Sequence, residues 1–155
     1  MEKTVAQSYT EQIQIIMPAD TNGYRRLFGG RLMEWIDIVA AAVARRHSGK
    51  NVTTARVDVL EFQAPAHEGD ALILAGKITH VGKTSMEVRV DTFIEALDGT
   101  RKQINRAYVI VVALDENECP TQVPKLRLET YEEKVEFENG VKRREMRKNL
   151  ASILS

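Results

Sequence analysis

One carboxylate in this sequence has no obvious local partner. The residues three and four positions from Asp37 are Met33, Glu34, Ala40 and Ala41, and none is cationic. An acid on a strip of small and apolar residues is costly unless something further away stabilises it, and carboxylates placed this way gather at functional sites. Two readings stand: a carboxylate with chemical work to do, or one that pairs with a distant cation such as Arg56 or lies in water. Upstream lies Phe28-Gly29-Gly30. Glycines at a helix start let a ligand approach free backbone N–H groups in the positive field of the helix dipole, which is one way to build an oxyanion hole. Taken alone, the same glycines need only make a tight turn into the helix. Asn22, in Asp20-Thr21-Asn22-Gly23, carries an amide able to position a water or a carbonyl, and is also an ordinary turn former. Gly82-Lys83-Thr84-Ser85 offers a cation, two hydroxyls and free N–H groups to a nucleotide phosphate, or else makes a plain hairpin turn.

Other chemistries are excluded by spacing. A phosphate loop needs glycine, four residues and then Gly-Lys-Thr. Gly76 stands one position too far from Gly82, and strand alternation follows instead of a helix. No Gly-x-Ser-x-Gly elbow occurs, which argues against an α/β-hydrolase. Cys119 has no histidine near it, and His47, His67 and His80 lack metal-ligand spacing, so neither a metal nor a cofactor is expected. His47 suits the C-terminal end of a helix.

The elements that must position these residues follow from periodicity. Gln12 to Met17 is a short strand closed by Pro18. A helix is expected from Arg31 to about His47, with Ser48-Gly49-Lys50 as its stop. Phe28, Leu32, Trp35, Ile36, Val39 and Val43 form one apolar stripe. Gly30, Met33, Asp37, Ala40, Ala41 and Ala44 form a second, small-residue strip, and Arg31, Glu34 and Arg45 a narrow charged edge. A helix apolar on most of its circumference is a buried helix. Four runs of period two follow. Ala55, Val57 and Val59 alternate with Arg56, Asp58 and Leu60; Leu72, Leu74, Gly76 and Ile78 share a face; Met86 to Glu95 alternates cleanly; Tyr108 to Leu114 is apolar on both faces, as an internal strand would be. Short turns at Glu68-Gly69-Asp70, His80-Val81-Gly82-Lys83 and Asp98-Gly99-Thr100 imply antiparallel neighbours. The expected fold class is α+β, an antiparallel sheet wrapped on one long helix. Residues 1–124 form that unit, and residues 125–155 a charged, partly helical C-terminal tail, read as a solvated surface element or as a segment packed on a neighbouring subunit.

Composition sets the outer bounds. With 155 residues, one domain is expected. Lys+Arg and Asp+Glu both number 22, so no net charge draws the chain to nucleic acid or an anionic membrane. The single cysteine cannot form an internal disulfide, the first ten residues are polar, and no apolar run spans a bilayer, so the cytoplasm is the expected compartment.

Taken in order, Met17-Pro18, Asp20-Thr21-Asn22, Leu27-Phe28-Gly29-Gly30, Trp35-Ile36-Asp37, Arg46-His47, Val52-Thr53-Thr54, Asp58, Phe62, Pro65, Gly69-Asp70 and Gly82-Lys83-Thr84-Ser85-Met86-Glu87-Val88 resemble the acyl-CoA hydrolase branch of the hotdog thioesterases. The resemblance covers about Gln12 to Pro124. It departs at Arg25, where the family often has glycine. It implies hydrolysis of acyl-CoA to fatty acid and CoA, with Asp37 as catalytic acid, Asn22 as its partner from the facing subunit, and Gly30 as an oxyanion N–H. It further implies that Phe28, Gly29 and the Gly82, Lys83, Thr84, Ser85 turn bind substrate and CoA. Assembly as a dimer, commonly a trimer of dimers, is implied as well. Asp37 would take a proton from the attacking water, or attack directly to form an anhydride. Three other functions fit parts of the pattern. A hotdog hydratase or dehydratase needs a histidine beside its acid, and only His47, at the far end of the helix, is available. A non-enzymatic acyl-CoA sensor would keep the Gly82-Lys83 turn without needing Asp37. A structural oligomer would need neither.

Overall fold

Rich in alanine and apolar residues after its opening Gly29-Gly30-Arg31, Gly29–Ser48 forms a single helix, α1. It ends where Gly49 enters the left-handed region at φ 66° and returns its N–H to the Arg45 carbonyl at 2.8 Å. The computed structural model describes residues 1–59 and 61–155. Around α1 curls a five-stranded sheet of β2 (Thr10–Ile15), β3 (Asn51–Val59), β4 (Ala71–Val81), β5 (Ser85–Glu95) and β6 (Arg101–Leu114). The spatial order is β2-β4-β5-β6-β3, with every neighbouring pair antiparallel. Two short strands, β1 (Glu2–Thr4) and β7 (Lys125–Arg127), pair in parallel beside it. A second helix, α2, runs from Tyr131 to Leu154.

The inner face of the sheet carries Leu72, Leu74, Ile78, Met86, Val88, Val90, Ala107, Val109 and Val111, all buried against α1. From the helix come Leu32, Trp35, Ile36, Val39, Ala40, Val43 and Ala44. The expected stripe is therefore largely present, with two changes. Ala40 and Ala44 belong to the sheet-facing side, because small residues let α1 settle close. Phe28 is exposed: it stands outside the helix as its N-cap. Gly76 marks the closest approach. A Cβ there would meet Val39 Cγ1 at 2.7 Å and Val43 Cγ2 at 3.0 Å.

The outer face is where sequence and structure part. Residues 125–155 read as a charged, partly helical tail, either solvated or packed on a neighbouring subunit; within them α2 packs on the sheet of its own chain. Its start is capped by Thr130, whose hydroxyl accepts from the Glu133 N–H at 3.1 Å. What it buries is charge. Glu87, fully buried on β5, accepts from Arg143 at 2.8 and 3.0 Å, from Arg147 at 3.2 Å and from Thr79 at 2.6 Å. Glu136 bonds Arg89, Arg143 and the Tyr108 hydroxyl. Burial alone would raise the Glu87 carboxyl, but its two arginines and Thr79 outweigh burial and hold it below the usual carboxylate range. Gly140 is buried, and a Cβ on it would lie 2.7 Å from His80 Cβ. The Phe137 ring packs against His80, tilted by 40° with the ring centroids 4.5 Å apart. Hydropathy could not reveal this face, because arginine and glutamate cover it.

Two histidines are buried as neutral rings. Burial lowers the pKa of His47, although its Nε2 lies 2.8 Å from the Pro124 carbonyl; its Nδ1 has no partner. Burial also lowers that of His80, against the pull of Glu87 and with the help of Arg144, Arg147 and Arg143. The unfolded chain takes up these protons near pH 6.5 and the folded chain only below that. Stability is therefore fully present above about pH 6.5 and falls as the pH drops through and below it. Thermal melts from pH 8 to 5 should show a level melting temperature that then declines, and His80→Gln should flatten the decline. A melting temperature that rises on acidification would contradict the neutral assignment.

Candidate active site

Asp37 lies midway along α1, partly buried. Its Oδ1 accepts a 2.6 Å hydrogen bond from the Thr54 hydroxyl of β3. No cation pairs with it among the described residues. The reason is a register shift. Thr54 opposes Val111 and faces inward with it, and strict alternation would turn Arg56 inward too. The ladder slips between Thr54 and Arg56, so Arg56 opposes Ile110 and points outward. There it bonds Asp58 at 2.9 Å. The bulge thus removes the one cation the sequence offered to Asp37 and leaves a hydroxyl in its place. Leu60, the last residue of the expected alternation, lies outside the described residues.

The helix start holds the second set of groups. The Phe28 carbonyl accepts from Arg31 at 3.0 Å and Leu32 at 3.2 Å, while the N–H groups of Gly29 and Gly30 have no acceptor among the described residues. The Phe28 ring lies over Gly30, where a Cβ would come within 2.6 Å of it, and Phe62 approaches Gly29. Both rings are exposed. Gly30 precedes Asp37 by seven residues, so about 10 Å of helix separates the two. One chain does not bring this N–H and this carboxylate together.

Asn22 is also apart from Asp37. It sits in an exposed loop, and its Oδ1 accepts from the N–H groups of Tyr24 at 3.0 Å and Arg26 at 3.3 Å. Its turn-forming role is real, and its amide nitrogen has no acceptor among the described residues. The loop is held by Thr21 pairing with Leu27 and Arg26 with His67. Arg25 adopts φ 60°, the left-handed region. Glycine does so freely, whereas a residue with a Cβ is strained there by roughly 1–2 kcal/mol.

Gly82 to Ser85 joins β4 to β5. Gly82 donates to the Ser85 carbonyl at 2.9 Å, and the Thr84 and Lys83 carbonyls accept from Ala113 and Val123 at 3.0 Å each. The N–H groups of Lys83 and Thr84 have no acceptor among the described residues. Ser85, Val112 and Thr53 lie in register, so the hairpin is two strands, about 10 Å, from β3. No cluster of three His, Cys, Asp or Glu residues able to hold a metal occurs among the described residues. Thr54 had no role assigned from sequence. The available signal was a hydroxyl on the inward side of a strand whose other inward residues, Val52 and Val57, are apolar.

The thioesterase superfamily model matches residues 24–98. An uncharacterised acyl-CoA thioester hydrolase of Bacillus subtilis is 38% identical over 135 residues, covering 86% of this chain and 78% of that protein. A hexameric acyl-CoA thioesterase crystal structure superposes with a TM-score of 0.89 at 38% identity, over 97% of each chain. An acyl-CoA hydrolase from Staphylococcus aureus, solved with butyryl-CoA and CoA, has a TM-score of 0.87 at 31% identity, over 99% of this chain and 96% of that one. Structures of the S. aureus enzyme also exist with an asparagine, an aspartate or a threonine changed to alanine. Those three residues stand 15 and 17 positions apart, the spacing of Asn22, Asp37 and Thr54 here.

Replacing Arg25 with glycine should relieve the loop without touching the core. Arg25→Gly is expected to raise unfolding stability by roughly 0.5–1 kcal/mol in a denaturant titration. A loss of stability would mean that the Arg25 side chain, not the backbone shape, holds the loop.

Proposed function

Because the chain belongs to the thioesterase superfamily, we propose that it hydrolyses acyl-CoA to a fatty acid and CoA, with Asp37 as general base. The observation that carries this reading is the 2.6 Å bond from Thr54 to Asp37 Oδ1. It fixes the carboxylate and leaves Oδ2 to accept a proton from water. That water attacks the thioester carbonyl. The developing oxyanion is met by backbone N–H groups at Gly29 and Gly30. Thiolate is a good leaving group, so no strong general acid is required. Phe28 and Phe62 give the acyl chain an apolar surface at the helix start, and the Gly82–Ser85 hairpin receives the nucleotide portion of CoA.

The separation along α1 calls for a second copy. β3 is an edge strand with one side unpaired. Joining two β3 edges about a two-fold axis sets two α1 helices side by side and antiparallel. The glycines of one then face the middle of the other, and Asn22 of one chain serves Asp37 of its partner. Further association into a trimer of dimers would use the opposite edge, where Ile13 and Ile15 of β2 stand exposed beside Ile73 and Phe93. The exposed, unbridged Cys119 suits a reducing compartment, and the cytoplasm is the proposed location. Among the described residues, no helix is long and apolar enough to cross a membrane.

Thiol release across a panel of acyl-CoA chain lengths tests the reading. Asp37→Asn should lower kcat by about 10²–10⁴-fold while sedimentation and CoA affinity stay as in the wild type. Thr54→Val should lower kcat less and leave KM nearly level, since it frees the carboxylate without removing it. Near-normal turnover in Asp37→Asn would remove Asp37 from the mechanism.

A further inference from the structure

Between α2 and the outer face of the sheet runs a groove of about 310 Å³. Arg56, His80, Ser85, Arg144, Arg147 and Lys148 give it polar walls, and Ala55, Ile110 and Ala151 contribute apolar surface. Its one acid, Glu87, is already satisfied by Arg143, Arg147 and Thr79. Asp58, just outside, is engaged by Arg56 and Arg147. Arg144 and Lys148 have no carboxylate partner among the described residues, so the groove carries surplus positive charge.

Arg144 is placed rather than merely present. Its Nη1 lies 2.9 Å from where a Cβ on Gly82 would stand, and Ser85 Oγ lies 3.0 Å from the same point. The guanidinium occupies the space that the missing side chain leaves on the hairpin. Beside it are the Lys83 side chain, which is exposed, and the N–H groups of Lys83 and Thr84, which have no acceptor among the described residues. A planar fork of N–H donors, a flexible ammonium and a turn with available N–H groups are the donors that recognise phosphate. The apolar surface at Ala55 and Ile110 suits the flat face of a purine.

Building on the thioesterase reading, we propose that Arg144 and Lys148 of α2 complete, with the Gly82–Ser85 hairpin, the site that binds the phosphates of the CoA nucleotide. Arg144 is then an affinity determinant remote from the chemistry. It tells CoA thioesters from thioesters that lack the nucleotide, and α2 is part of the substrate site.

Calorimetric titration of CoA and of pantetheine into wild type, Arg144→Gln and Arg144→Lys tests this. CoA should bind about tenfold more weakly to Arg144→Gln, with part of the loss recovered in Arg144→Lys, while pantetheine affinity stays level. KM for acyl-CoA should rise by a similar factor at unchanged kcat. Lys148→Gln should shift CoA in the same direction by less, and it supplies the readout if Arg144→Gln fails to fold. Unchanged CoA affinity in a folded Arg144→Gln protein overturns the proposal. So does a parallel loss for CoA and pantetheine, or a wild type that binds the two equally. Binding needs no turnover. A wild type without thiol release would therefore sink the thioesterase reading while the comparison of CoA with pantetheine still decides this one.

Discussion

A slip of one residue in the β3 ladder governs both faces of this molecule. Up to Thr54 the strand alternates as its sequence suggests, and the Thr54 hydroxyl turns inward to Asp37. After the slip, Arg56 and Asp58 turn outward. Without it, a guanidinium would sit on the same side as the carboxylate and neutralise it. With it, the inner face keeps an acid held by a neutral donor. The outer face gains a charged pair that reaches α2 through Arg147.

That division gives the two helices opposite tasks. α1 packs by size: Gly76 admits Val39 and Val43, and the alanines on its sheet side keep the approach close. α2 packs by charge: buried Glu87 and partly buried Glu136 are satisfied by arginines from sheet and helix together. A buried charge network of this kind stabilises little compared with an apolar contact of the same size, but it is costly to break at one partner. It therefore fixes where α2 lies along the sheet more than it adds to overall stability. Gly140 sets the depth of that contact, and Gly82 leaves room for Arg144 at its far end. The position of α2 matters because its arginines reach the hairpin only from this seat.

Much of this was legible in the sequence. Helical and twofold periodicity located α1 and the four strands that follow it, since half-buried elements leave a hydropathy signal. Asp37 showed itself as an acid without a local partner. The bulge left no such mark: Thr53, Thr54 and Ala55 carry no glycine or proline to announce it, so Arg56 remained a plausible partner for Asp37. The short strands β1 and β7 pair three residues each and lie below what pattern can detect. The docking of α2 was hidden for a different reason. Periodicity finds apolar faces, and the face α2 turns to the sheet is mostly arginine and glutamate, with Gly140 and a single ring, Phe137, among them. The strain at Arg25 was half visible, as a departure from glycine; the positive φ explains what that glycine would have served.

The groups that could act on a thioester are spread over a length that one helix cannot fold back on itself. Seven residues of α1 hold Gly30 and Asp37 about 10 Å apart, and no loop motion shortens a helix. A donor for the oxyanion and a base for the water must both stand within hydrogen-bond reach of one carbonyl. Either Asp37 uses donors other than the helix N-terminus, or those donors come from another copy. The Asp37 flank of α1 lies beside β3, an edge strand with unpaired backbone groups, and an edge left open beside a carboxylate suits the second arrangement. Catalysis and assembly then depend on the same strand. In that arrangement Thr54 would tie the strand to the carboxylate, and the free edge would bring the second copy's helix start to the same carbonyl.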